Sequence, residues 1–116
     1  MAARERILVR GLVDWVALDR VHWEVLQDND NNKEESVTVV QRKTLDLIRS
    51  LVNDGLVEVG DLSGDNGRFV AWRSSIDESI ARISDAYVAN FDDLNSWPWV
   101  CWLDLTEDGA TVARDA

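Results

Sequence analysis

The sequence contains one cysteine, one proline and one histidine, and the shortage of cysteine limits the class of protein. A single cysteine cannot form an internal disulfide, so the chain does not fit a small secreted domain that disulfides stabilise. The neighbours of Cys101 are Val100 and Trp102, which predict a buried thiol rather than a reactive one. We therefore expect a protein of the reducing cytoplasm.

Long apolar runs are also missing. No stretch of the sequence approaches the ~20 apolar residues that span a bilayer. Charged residues interrupt residues 1–11, which is not typical of a secretory signal. We expect no membrane segment.

Basic residues are scarce: 12 Lys and Arg stand against 22 Asp and Glu, for a net charge of −10. Residues 1–58 carry 8 basic and 11 acidic residues and the rest carry 4 and 11, so the acidity is concentrated toward the C-terminus. Such a charge repels phosphate backbones and attracts cationic partners. It also increases solubility, which is the simpler interpretation.

No pattern of catalytic, metal-binding or cofactor-binding residues is visible. Pairing His22 with Cys101 as a dyad would need a tertiary contact that the sequence does not indicate. The run from Asp28 to Asn32 matches the start of an EF-hand loop, but Lys33 replaces its glycine and Val39 its final glutamate. The sequence therefore predicts a protein that is not an enzyme, with no catalytic, metal or cofactor site.

The length of 116 residues predicts one domain over the whole chain, and the spacing of apolar residues predicts an α+β fold. Residues 4–27 carry an apolar stripe at helical spacing, which indicates one long N-terminal helix or two helices meeting at Gly11. A capping box at Thr38 predicts the start of the next helix. Gly55 follows Asn and Asp and is typical of a helix end.

The second half of the chain alternates strands and helices. Residues 56–62 and 68–72 predict a β-hairpin around a glycine-containing turn. A second capping box opens an additional helix from Ser75 to Phe91. Trp97 to Leu105 predicts a strand, and Thr106 caps a short final helix.

Two motifs carry a resemblance to a known superfamily. Leu51-Val52-Asn53-Asp54-Gly55-Leu56-Val57 resembles the end of the third helix and the first wing strand of winged-helix proteins. Leu105-Thr106-Glu107-Asp108-Gly109 is similar to the Leu-Thr-x-x-Gly element of bacterial members. The resemblance implies a winged-helix-like core with the hairpin as its wing. The sequence departs from the family at residues 28–37, where a short second helix is usual, and in the additional helix after the hairpin.

If the protein reads DNA as winged-helix proteins do, the resemblance implies base contacts from the Thr38 helix and backbone contacts from the wing. The cations at these places are Arg42, Lys43, Arg49 and Arg68. Four cations are few for a chain of this charge, because duplex binding usually recruits several phosphate contacts. The sequence does not determine the oligomeric state, and a homodimer would double the number of these cations.

The competing hypothesis is a binding surface for a protein. Asp92 and Asp93 lead into Trp97 and Trp99, and tryptophan is enriched at interface hot spots while carboxylates steer a basic partner. The alternation of the predicted strand also allows tryptophans to lie in the core. It favours a core position for Trp99 and Trp102, and it does not decide between core and interface for Trp97. We predict a non-enzymatic module, an adaptor, inhibitor or immunity-type protein, that binds a basic protein. A winged-helix DNA-binding regulator is the alternative.

Overall fold

The structure, a computed structural model, describes residues 2–28, 36–63 and 67–116. Most of the predicted loop from Asp28 to Asn32 and the middle of the predicted hairpin turn lie outside the described residues. Helices and strands are mixed along the chain, which confirms the α+β prediction. In chain order they are α1 (Ala3–Gly11), β1 (Val16–Ala17), α2 (Leu18–Gln27), α3 (Val37–Asn53), β2 (Val57–Leu62), β3 (Phe69–Ala71), α4 (Ile76–Tyr87), a 3-10 helix (Trp97–Trp99), β4 (Trp102–Leu105) and α5 (Glu107–Asp115).

The N-terminal apolar stripe folds as two helices. α1 ends at Gly11, where a Cβ would lie 2.8 Å from Cγ of Leu105, so α1 closely approaches the end of β4. The chain then turns, and Val16 and Ala17 pair with β4. This pairing is a tertiary contact that helical spacing cannot indicate. One long helix is therefore wrong, and the two-helix alternative is confirmed with β1 between the helices.

α3 begins at a different cap from the predicted one and ends as predicted. Ser36 is the N-cap, and its Oγ accepts a hydrogen bond from the backbone N–H of Val39 at 3.3 Å. The predicted start at Thr38 is therefore wrong. Gly55 has a φ of 73°, a left-handed conformation that costs glycine little. The N–H groups of Gly55 and the next residue donate to carbonyls of the last helical turn, which satisfies the helix end.

The strands form one antiparallel sheet in the order β1-β4-β2-β3. The predicted hairpin is β2 and β3, with Leu62 opposite Phe69. β4 pairs with the other side of β2, with Val59 opposite Leu103. The last strand of the sequence thus lies in the middle of the sheet, between the first strand and the hairpin.

The core lies on one face of this sheet. Val59 and Leu103 share that face because they are opposite in the register, and both are buried. Each of the five α-helices in the described residues contributes to the same cluster, so these helices lie on one side of the sheet. The helix residues in the cluster are Ile7 and Leu8 of α1, Leu18 and Val21 of α2, Ile48 and Leu51 of α3, Ile83 and Tyr87 of α4, and Ala113 of α5.

α4 starts at the predicted cap. The Ser75 side chain accepts from the Glu78 N–H at 3.1 Å, and the Glu78 side chain accepts from the Ser75 N–H at 3.1 Å. This confirms the capping box. The helix ends at Tyr87, four residues before the predicted end at Phe91.

The segment from Trp97 is where the strand prediction is wrong. Trp97–Trp99 is a 3-10 helix, and only Trp102–Leu105 forms the strand. Pro98 has no N–H for a sheet ladder, and its fixed φ suits the first turn of a helix. The final helix, α5, is capped as predicted, because Oγ1 of Thr106 accepts from the N–H of Gly109 at 3.0 Å.

Candidate interaction surface

All five α-helices of the described residues contribute to the core cluster, and none of them covers the opposite face of the sheet. Directly paired residues point to the same side of a sheet, so the register places Trp102 beside Gly60 and Ala17 on this face. Trp102 is half-buried, yet it is not among the side chains packed against the core cluster. Its ring lies over small residues and remains accessible from outside.

Two tryptophans stack on this face. The rings of Trp99 and Trp102 have centroids 5.9 Å apart and planes 22° from parallel. Trp99 is 54% exposed, because the 3-10 helix directs Trp97 into the core and leaves Trp99 outside. A large aromatic ring that is half exposed and held by a second ring is a rigid contact surface with little side-chain entropy left to lose on binding.

A third tryptophan lies at the other end of β4. Trp15 directly precedes β1 and lines a surface concavity of about 260 Å³ with Asp14 and Asp104. The carboxylate of Asp14 accepts a hydrogen bond from the Trp15 N–H at 2.8 Å, which fixes the turn there. Three of the six tryptophans in the sequence therefore lie on or beside the side of the sheet opposite the core.

Two carboxylates face each other on the same side. Glu58 of β2 is directly opposite Asp104 of β4, and Asp104 is two residues from Trp102 on one strand. Neither carboxylate has a cationic partner among the residues that the structure describes. We call the surface formed by Trp15, Glu58, Trp99, Trp102 and Asp104 the tryptophan face.

The predicted protein-contact residues do not form one surface as expected. Trp97 is 3% exposed, its ring stacks on Phe91 with centroids 5.0 Å apart, and its Nε1–H donates to the Phe91 carbonyl at 2.8 Å. It is a core residue, so its predicted contact role is wrong. Asp92 and Asp93 are exposed in the turn after α4. Trp99 is exposed as that hypothesis needs, against the core interpretation favoured by the strand pattern.

Sequence reasoning missed four members of the tryptophan face: Trp15, Glu58, Trp102 and Asp104. The alternation from Trp102 to Leu105 was a usable signal, because period-two spacing places Trp102 and Asp104 on one side and Leu103 on the other. Whether that side is covered depends on where the helices pack. The spacing alone contains no information on this.

The predicted DNA-contact residues lie on two elements. Arg42 and Lys43 are exposed on α3. Arg49 of α3 binds the carboxylate of Asp77 of α4 at 2.5 Å, so a neighbouring helix already offsets its charge. Arg68 is exposed next to β3, at the end of the hairpin.

α4 packs beside α3, and the two helices form a groove of about 270 Å³. Arg42 and Arg49 line this groove together with Asp46 and the apolar side chains of Leu45 and Ile80. The groove is therefore mixed in charge and partly apolar, which does not match the uniformly cationic surface that duplex DNA attracts.

His22 and Cys101 have separate environments. The Nδ1 atom of His22 is hydrogen-bonded to the hydroxyl of Tyr87, and its ring contacts those of Phe91 and Trp97. Burial lowers the pKa of His22 and raises that of Tyr87 to about 12. Cys101 is fully buried, and this burial raises the pKa of its thiol to about 12, so the thiol is a poor nucleophile.

In the described ranges, no three side chains of His, Cys, Asp or Glu come together as metal ligands would. None of the described helices combines the length and the apolar character needed to cross a bilayer. Comparison of the chain with family models, with curated proteins and with solved structures finds no match. The tryptophan face combines stacked, partly exposed indole rings with two carboxylates that lie opposite each other.

Proposed function

We propose that the protein is a non-enzymatic binding module, an adaptor, inhibitor or immunity-type protein, that captures a basic protein on its tryptophan face. The observation that carries this proposal is the stack of Trp99 on Trp102 on the side of the sheet that the described α-helices leave uncovered. Its location is proposed to be the cytoplasm, because the lone Cys101 is a buried free thiol.

The energetics of interfaces support this use of the surface. A few aromatic residues usually dominate the binding free energy, and they lie at the centre of the buried patch. The surrounding charge contributes more to encounter rate and selectivity than to affinity. A chain with a net charge of −10 repels acidic proteins and other copies of itself, which favours a cationic partner over a homodimer on this face.

The test is capture of partners followed by reconstitution. The tagged protein and its Trp99→Ala variant are used as bait in lysate of the source cell, and each captured protein is then purified and tested for direct binding. We expect at least one basic protein to bind the wild type directly. Trp99→Ala should weaken this binding by about 30-fold, which corresponds to a hot spot of about 2 kcal/mol.

Trp23→Ala is the matched control. Trp23 is 47% exposed on α2, on the helical side of the molecule, and Arg20 stacks on its ring at 5.0 Å. Its removal should leave the binding unchanged. Equal loss in the two variants, or full binding by folded Trp99→Ala, would contradict the proposed surface.

We further propose that the core is winged-helix-like, and that a DNA-binding regulator is the second candidate function. The order helix, strand, two helices and then strands supports the first of these. The exposure of Arg42 and Lys43 on α3 favours the second. The ion pair of Arg49 with Asp77 weakens it, because a phosphate would have to compete with a carboxylate that is already bound.

A further inference from the structure

Two carboxylates of the tryptophan face belong to neighbouring strands. Glu58 and Asp104 are directly opposite in the register of β2 and β4, which places their Cβ atoms about 5 Å apart. Like charges in this position repel each other and destabilise the sheet. Among the described residues no cation lies between them, so the free protein retains the repulsion.

The aromatic part of the surface adjoins these carboxylates. Trp102 is two residues from Asp104 on the same face of β4, a distance of about 7 Å along the strand. Trp99 stacks on Trp102 and extends the ring surface outward. Carboxylates beside an open indole ring are suited to a planar cation, which can stack on the ring and donate to both acids.

We propose that Glu58, Asp104 and the stacked pair Trp99 and Trp102 form a receptor for an arginine side chain of the partner. This inference rests on the proposed function and specifies the partner as a protein with an exposed arginine-rich segment. The guanidinium stacks on the indole surface while its N–H groups donate to the two carboxylates. Arginine fits better than lysine, because its fork of donors can bridge two acids and its flat face can stack.

Charge complementarity selects this occupant over the others. An acidic or phosphorylated segment would add to the repulsion between Glu58 and Asp104. A second copy of this chain would bring the same carboxylates to the contact, because the two-fold interface of a dimer uses the same patch twice. A neutral apolar segment would bury both carboxylates without a partner, which is costly.

The test uses a short glycine-serine peptide with blocked ends and two arginines, titrated into the full-length protein. The signals followed are the indole N–H resonances of the tryptophans in NMR spectra, assigned by substitution. We expect saturable shifts of the Trp99 and Trp102 signals, with half-saturation at millimolar peptide. Peptides with citrulline, which keeps the shape without the charge, should not bind, and lysine peptides should bind more weakly.

Variants of the carboxylates separate this site from the general charge of the protein. Glu58→Gln and Asp104→Asn should each lower the affinity for the arginine peptide about two- to fivefold, the usual range for an exposed ion pair. Asp85→Asn makes the same change of charge at an exposed position of α4, outside the sheet, and should have no effect. Each of the first two variants should also raise the urea midpoint of the free protein, because it removes the repulsion across the strands.

Equal binding of the citrulline peptide, or equal weakening by Asp85→Asn and Asp104→Asn, would overturn the inference. These outcomes are distinct from failure of the proposed function. If a partner needs Trp99 but binds both carboxylate variants normally, the proposed function is supported and the arginine site is contradicted. If the arginine peptide binds but the captured partners bind Trp99→Ala as well as the wild type, the arginine site is supported and the proposed function is contradicted.

Discussion

His22 is the one side chain of this protein whose ordinary pKa of 6.5 lies near neutral pH, and it is half-buried among aromatic rings. Its contacts join three elements: Tyr87 belongs to α4, Trp97 to the 3-10 helix, and His22 itself to α2. Burial disfavours the imidazolium and lowers the pKa, while the nearby Asp19 opposes this more weakly. Folding therefore favours neutral His22.

This shift makes stability depend on pH in a defined direction. The folded protein takes up the proton at a lower pH than the unfolded chain, whose His22 titrates near 6.5. Below that pH the unfolded chain binds more protons, so the free energy of unfolding falls as pH drops from about 7 to 5. Urea midpoints measured across this range should show the fall.

His22→Gln is the control, because glutamine keeps a neutral acceptor for the Tyr87 hydroxyl and does not titrate. Its urea midpoint should be almost constant between pH 7 and 5, since the lowered pKa values of Asp28 and Glu78 place their titration below this range. Identical pH profiles for the variant and the wild type would contradict this account of His22.

Sequence reasoning assigned residues correctly where the signal was local and failed where it was tertiary. Cys101 was expected to be buried because of its apolar neighbours, and it is. Trp97 and Trp99 have the same local composition but opposite environments. The 3-10 turn at Pro98 decides which ring enters the core, and period-two spacing placed both rings on one face.

At the scale of elements, the junction between α5 and the start of β2 illustrates how one glycine determines packing. The carbonyl of Leu56 accepts the backbone N–H of Thr106 at 3.0 Å. Gly109, in the first turn of α5, lies so close to this carbonyl that a Cβ would be 1.9 Å from its oxygen. α5 can approach β2 this closely only without a side chain at residue 109.

Gly109→Ala should therefore destabilise the protein, although alanine favours a helix by about 1 kcal/mol over glycine. The methyl group must displace α5 from the Leu56 carbonyl, and overpacking of this kind costs about 1–3 kcal/mol. The measurement is the free energy of unfolding in urea. Val112→Ala, at an exposed position of the same helix, should stay within about 0.5 kcal/mol of the wild type. Stabilisation by Gly109→Ala would show that the junction relaxes easily.

Several helix caps could be predicted, since capping depends on residues close in sequence, although the start of α3 and the end of α4 were not. The caps at Ser75 and Thr106 were predicted from their hydroxyl side chains, and the helix end at Gly55 from the backbone freedom of glycine; all three are confirmed. β1 was missed because two residues carry no strand pattern of their own and pair only with β4. For the same reason the tryptophan face could not be predicted: its exposure depends on all five described α-helices packing on the other side.

For the whole molecule, the ion pairs of the arginines and the negative net charge decide which partners it attracts. The described ion pairs each join an arginine to a carboxylate, and they use Arg4, Arg6, Arg49 and Arg82. Pairing of this kind reduces the number of cations that can contact a phosphate backbone, while the net charge of −10 is unchanged by it. Long-range repulsion from DNA is the expected result.

The protein should therefore not bind duplex DNA at an ionic strength of about 0.15 M, and this result would distinguish the two proposed functions. Fluorescence anisotropy of a labelled duplex of mixed sequence, followed by a genomic fragment library, measures it. Any binding of the duplex at low salt should vanish as salt rises, because affinity that comes from phosphate contacts falls steeply with salt concentration.

The double variant Arg42→Glu, Lys43→Glu tests the alternative function, a DNA-binding regulator. Binding by the wild type at about 0.15 M that this variant abolishes would make α3 a DNA-contacting helix, and it would favour the regulator over the protein-binding module.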